Sequence, residues 1–85
     1  MSNLRFNYDN KNDILYISIG TPRTSYGDEL EEGIVIRKDF ATNEITGITI
    51  HDFIKRFDNN DSNLDHLPLP MRLKDYDIRK LLHIN

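Results

Sequence analysis

The chain has 85 residues, 11 Lys and Arg against 14 Asp and Glu, a formal net charge of -3 and no cysteine. A chain of that length holds one domain, and its mixed charges lack the basic stripe with which a nucleic-acid binder neutralises phosphates, so direct nucleic-acid binding is not expected. Without cysteine there is no disulfide framework, no thiolate nucleophile and no Cys-type zinc site, which fits a reducing cytosol.

The N-terminal residues Met1 to Tyr8 lack the basic-then-apolar order of a signal peptide. No apolar run approaches the roughly 20 residues that span a bilayer, so a cytoplasmic protein without membrane contact is expected. A sheet this small gains stability by burying further surface, which leaves a homo-oligomer or a protein partner open.

The first strand runs from Leu4 to Tyr8, with Leu4, Phe6 and Tyr8 on one side and Arg5 and Asn7 on the other. Asp9 to Asp13 is a turn, since Asn and Asp tolerate left-handed backbone and bond their own main chain. A second strand over Ile14 to Ile19 places Leu15, Ile17 and Ile19 on one face. After a long link from Gly20 to Gly33, a third strand aligns Ile34 with Ile36, opposite Val35 and Arg37. A fourth aligns Ile48 with Ile50, opposite Gly47 and Thr49. Ala41 to Glu44 is short enough for a hairpin, so two hairpins in series form a meander. One aliphatic face and one mixed face predict a sheet covered on a single side.

The cover is predicted to be a helix capped by Asp52, with Phe53, Ile54 and Phe57 inward and Lys55 and Arg56 outward. Asp58 to Asp65 reads as a polar linker. Leu67-Pro68-Leu69-Pro70 must be extended, because each proline lacks an N–H and restricts its predecessor. Asp75 then caps a last helix with Ile78, Leu81 and Leu82 as its apolar stripe. The expected architecture is α+β: a four-stranded antiparallel meander covered on one face by a helix, plus a C-terminal extension with a second short helix. Residues 1–58 form the sheet-plus-helix unit; residues 59–85 either complete that domain or serve as a partner-docking tail.

Asp28, Glu29, Glu31 and Glu32 crowd the long link. On a mobile loop these carboxylates suit a basic protein partner; they equally suit a solvated acidic turn that keeps a sheet edge from aggregating. Their spacing lacks the order of a calcium loop, so no metal is expected. His51-Asp52 has the composition of a phosphohydrolase dyad, but the chain's 3 His cannot supply the further ligands. No serine stands in a nucleophile elbow, so no catalytic residue and no cofactor is expected. Tyr76, Ile78, Leu81 and Leu82 offer an apolar face that either folds onto the sheet or docks in a partner's groove.

The segments Tyr8-Asp9, Asp13-Ile14-Leu15-Tyr16-Ile17, Glu31-Glu32-Gly33-Ile34-Val35-Ile36 and Ile45-Thr46-Gly47-Ile48-Thr49-Ile50 together resemble domain of unknown function 2283 over residues 8–57. This family of small bacterial and archaeal proteins includes YuzE-like members. Arg37-Lys38-Asp39-Phe40 and His51-Asp52 depart from its pattern without touching the positions that define strands and turns. Some members look like the antitoxin half of two-gene pairs. That resemblance implies a non-catalytic protein that neutralises a small basic protein by direct contact, using Asp28, Glu29, Glu31 and Glu32 for charge and Tyr76, Ile78, Leu81 and Leu82 for apolar docking. The alternatives are a small enzyme or ligand-binding protein with a pocket near His51 and Asp52, and a structural homodimer.

Overall fold

The computed structural model describes residues 3–84. Its sheet has strands β1 (Leu4–Asp9), β2 (Ile14–Ile19), β3 (Ser25–Glu31), β4 (Ile34–Asp39) and β5 (Ile45–His51). All neighbours are antiparallel, in the order β1-β2-β5-β4-β3. The expected four strands are therefore five, and the meander of two hairpins is corrected as well. β5 inserts between β2 and β4, so the second hairpin folds in beside the first instead of following it. Residues 20–24 carry the chain past the ends of β5 and β4 to the far edge. That crossing spans three strand spacings, about 14 Å, which six extended steps cover easily.

β3 lies within the link expected to be a loop. Tyr26 to Leu30 are all exposed, so no apolar alternation marks them, and Asp, Glu and Gly have low strand preference. Pairing with β4 imposes the strand. A tight turn at Glu32 and Gly33 makes that pairing local, with Gly33 at φ 87°, a backbone that glycine adopts without strain.

Period-2 alternation puts Leu15, Ile17, Ile34, Ile36, Ile48 and Ile50 into one core with Phe53. Helix α1 (Phe53–Asp58) covers that face. Leu64, Leu73 and Ile78 join the same core from the C-terminal segment. The expected linker thus contains a 3-10 turn, Ser62–His66, whose Leu64 is buried and whose cap is Asp61. Asp75 does not cap the last helix: it ends another 3-10 turn, Leu73–Asp75, and α2 (Ile78–Leu81) is capped by Asp77.

Asp52 holds the N-cap position of α1 but is left-handed (φ 54°) and makes no side-chain cap. The cap comes from Asp13 in the β1–β2 turn. Its Oδ1 accepts from the Ile54 N–H at 2.8 Å and its Oδ2 from Lys55 at 3.4 Å, while its carbonyl accepts from Phe53 at 3.1 Å. The Tyr8 hydroxyl donates to the same Oδ1 at 2.7 Å. Arg56, expected to point outward, is instead a clasp. It donates to the Glu32 carbonyl (2.7 Å), the His51 carbonyl (2.8 Å) and Asp61 Oδ2 (2.8 Å), joining the β3–β4 turn, the end of β5 and the 3-10 turn.

Two measurements follow from the Asp13 joint. Asp13→Ala is expected to cost about 1–3 kcal/mol in urea denaturation, because it removes a cap, leaves the Tyr8 hydroxyl without its acceptor and puts alanine in a left-handed backbone that the short polar side chain of aspartate tolerates better. Asp13→Asn keeps an acceptor and tolerates that backbone, and should recover most of the loss. Burial, the hydrogen bond to Asp13 and the negative charges of Asp13 and Asp9 push the Tyr8 hydroxyl up to about 12. Since Tyr8 is held protonated in the folded state, its contribution is full below the ordinary value of about 10 and is lost as pH rises towards about 12. NMR titration of the Tyr8 ring and alkaline denaturation of Tyr8→Phe, which should lack this component, check the assignment.

Candidate functional site

Phe53 of α1 and Leu64, Leu73 and Ile78 of the C-terminal segment pack on the core face, whereas Tyr26 to Leu30 of β3 stay exposed and overhang it. The strand order puts β3 at an edge, so alternate backbone N–H and C=O groups along it face outward without a ladder partner. On the core side of this overhang lies a groove of about 370 Å3, lined by Asp28, Leu30, Ile36, Lys38, Ile45 and His66 among others. Ile36 is buried and Ile45 half-buried, giving the groove an apolar floor. β3 forms one wall, and His66 with Pro68 from the end of the 3-10 turn forms the other.

Register explains which side chains reach it. Asp28 pairs with Ile36 and Tyr26 with Lys38, so all four lie on the core side of the sheet. Lys38 Nζ sits 2.9 Å from Asp28 Oδ2, and the hydrogen bond and charge of Asp28 raise the Lys38 ammonium above the ordinary lysine value. Glu29, Glu31 and Glu32 have no ion-pair partner among the described residues. The four acidic residues lie on a paired strand and its turn rather than on the mobile loop expected.

Leu30 (53% exposed), between Glu29 and Glu31, and Phe40 (70%), at the other end of β3, are apolar side chains left in water. Tyr26 packs edge-on against Phe40, ring centroids 5.7 Å apart, and donates its hydroxyl to Asn43 Oδ1 at 2.7 Å. Tyr26, Leu30 and Phe40 are not among the residues expected to form the site. The available signal was Leu30, an apolar residue between Glu29 and Glu31 with no periodic partner.

The C-terminal set is divided. Ile78 is buried in the core and Leu82 packs against it, whereas Tyr76 and Leu81 are exposed. Ile78 is thus a core residue, and the four do not form one open stripe. His51 is exposed at the end of β5. A depression of about 390 Å3 nearby is lined by Asp52, Lys55, Arg56, Asn59 and Asp61, without His51. Among the described residues no group of three or more His, Asp or Glu is placed to hold a metal ion, and no helix is long and apolar enough to cross a membrane.

Searches of the curated proteins and of the solved structures find no match to the chain. Residues 5–53, from the second residue of β1 to the first of α1, match the family described as "Protein of unknown function (DUF2283)". The match takes in every strand of the sheet together with Tyr8 and Asp13, whose contacts hold α1 in place, and on that span the chain belongs to the DUF2283 family.

Proposed function

We propose that the protein is a non-catalytic, antitoxin-like binding module that receives a basic segment of a small protein partner along β3. The observation that carries this reading is the overhang itself: β3 has an unpaired edge, an apolar-floored groove lies on its core side, and Glu29, Glu31 and Glu32 along the strand and its turn have no ion-pair partner among the described residues. An extended segment adding to β3 gains main-chain hydrogen bonds from the edge, while alternate side chains enter the groove or meet the acidic residues. Lys or Arg on that segment complements Glu29, Glu31 and Glu32, which speeds encounter and selects the partner.

Charge also selects against a homodimer at this edge. Two antiparallel copies of β3 would set Asp28, Glu29 and Glu31 against one another, and like charges on facing strands repel. Tyr76 and Leu81 extend the reading to the C-terminal segment as a secondary apolar contact. Exposure of both is the support for that extension.

Coexpression with the product of the adjacent reading frame, followed by size-exclusion chromatography, tests the proposal. A complex is expected at low salt that weakens as salt rises, because exposed charges are screened over about 10 Å at 0.1 M. Glu29→Lys/Glu31→Lys should abolish it without altering the melting temperature by more than a few degrees, since neither side chain makes an ion pair among the described residues. Elution of the chain alone at both low and moderate salt would remove the proposal.

A further inference from the structure

The opposite face of the sheet carries a second, chemically distinct feature that does not depend on the β3 reading. Arg5 pairs with Ser18, Ser18 with Gly47, Gly47 with Arg37 and Arg37 with Gly27. These residues form one row across all five strands, on the face away from α1. Arginines stand on β1 and β4, and between them the floor is a serine and a glycine. The two strands are about 14 Å apart, three strand spacings, so two arginine side chains leaning inward leave room between their heads for one small group.

The floor is kept low for a physical reason. A methyl group at Gly47 would stand 2.7 Å from the Ile17 carbonyl oxygen, and 3.1 Å and 3.2 Å from Nη2 and Nε of Arg37. The Arg37 guanidinium therefore lies over Gly47, pointing along the row. Residues 20–24 close the end of this trough and make a cleft of about 250 Å3 lined by Arg5, Ser18, Arg23, Ser25, Arg37 and Thr46 among others.

The three arginines differ in what already holds them. Arg23 is tied to Asp39 at 3.2 Å and Glu44 at 3.1 Å. Arg5 bonds only the Gly20 carbonyl, at 3.3 Å, and Arg37 has neither an ion pair nor a side-chain hydrogen bond among the described residues. Ser25 Oγ donates to the Arg23 carbonyl (2.9 Å) and lies 2.8 Å from Thr46 Oγ1, which fixes the wall. Two uncommitted guanidinium forks and the Ser18 hydroxyl thus converge on a small polar cleft in a protein whose net charge is negative.

We infer that this trough binds the phosphate group of a small phosphate monoester. Two guanidinium groups match a dianion in charge and its oxygens in geometry; a monocarboxylate would leave one of them uncompensated. A polynucleotide fits poorly, because Glu29 shares this face and Glu44 sits beside Arg23 at the cleft's end. The body of the ester occupies the remaining volume towards Thr21 and Pro22.

The test is an NMR amide titration of the whole chain with inorganic phosphate, phenyl phosphate and a short single-stranded RNA, each against sodium chloride at matched ionic strength. Saturable shifts confined to Ser18, Gly47 and Arg37 are expected with phosphate, and tighter ones with phenyl phosphate. Arg37→Gln and Arg5→Gln, on separate strands, should each weaken phenyl phosphate about tenfold or more, the loss expected for one charge-assisted hydrogen bond. Arg37→Lys, which keeps charge and loses the fork, should recover part of that affinity. Glu29→Lys/Glu31→Lys should still bind, which separates this site from the β3 groove. Shifts no larger than those with sodium chloride, unchanged affinity in both glutamine variants, or tighter binding of RNA than of phenyl phosphate would overturn the assignment.

Discussion

The carboxylate of Asp13 joins the two layers of this small protein. It sits in a left-handed turn between β1 and β2, takes the first free N–H groups of α1 and receives the Tyr8 hydroxyl. A six-residue helix is far too short to form by itself, since nucleation is costly and each further residue adds little. It exists because Asp13 satisfies its exposed end while Phe53 is buried against the sheet. Ile48 and Ile50, on the central strand, are buried in the same core as Phe53. Arg56 fastens the other end, to the β3–β4 turn and to Asp61.

The cover made by α1 and the C-terminal segment leaves β3 exposed, and this shapes the functional surfaces. β3 extends beyond it, with both faces in water and its outer edge unpaired. Carboxylates there serve two purposes at once: they discourage pairing with another copy and favour a basic segment. Among the described residues the helical segments bury their apolar side chains on the core face, and on the reverse face small residues in register between Arg5 and Arg37 leave a trough. β4 takes part in both surfaces, because alternate residues of a strand point to opposite sides. Ile36 and Lys38 face the groove, and Arg37 faces the trough.

The parts legible in the sequence are those specified by neighbours. Leu15 with Ile17, Ile34 with Ile36, and Ile48 with Ile50 alternate cleanly, so their strands and the buried face follow from side-chain period alone. The acidic cluster is likewise plain, yet its conformation is not: Tyr26 to Leu30 carry no apolar alternation, and only the open edge of β4 makes them a strand. Asp13 reads locally as a turn residue, and the helix it caps begins 40 residues later. Asp52, in the ordinary capping position, is a reasonable expectation defeated by its left-handed backbone.

Composition and period thus determined by themselves an α+β chain with an antiparallel sheet, one aliphatic face and a helix after Asp52. Tertiary structure decided the fifth strand, the insertion of β5 between β2 and β4, the burial of Ile78 and the alignment of Arg5 with Arg37. The reason lies in the range of the forces. Alternation records which side of a strand avoids water, a property of adjacent residues. Which strands become neighbours depends on burying all the aliphatic faces under α1 and the C-terminal segment together, a condition that no single segment carries.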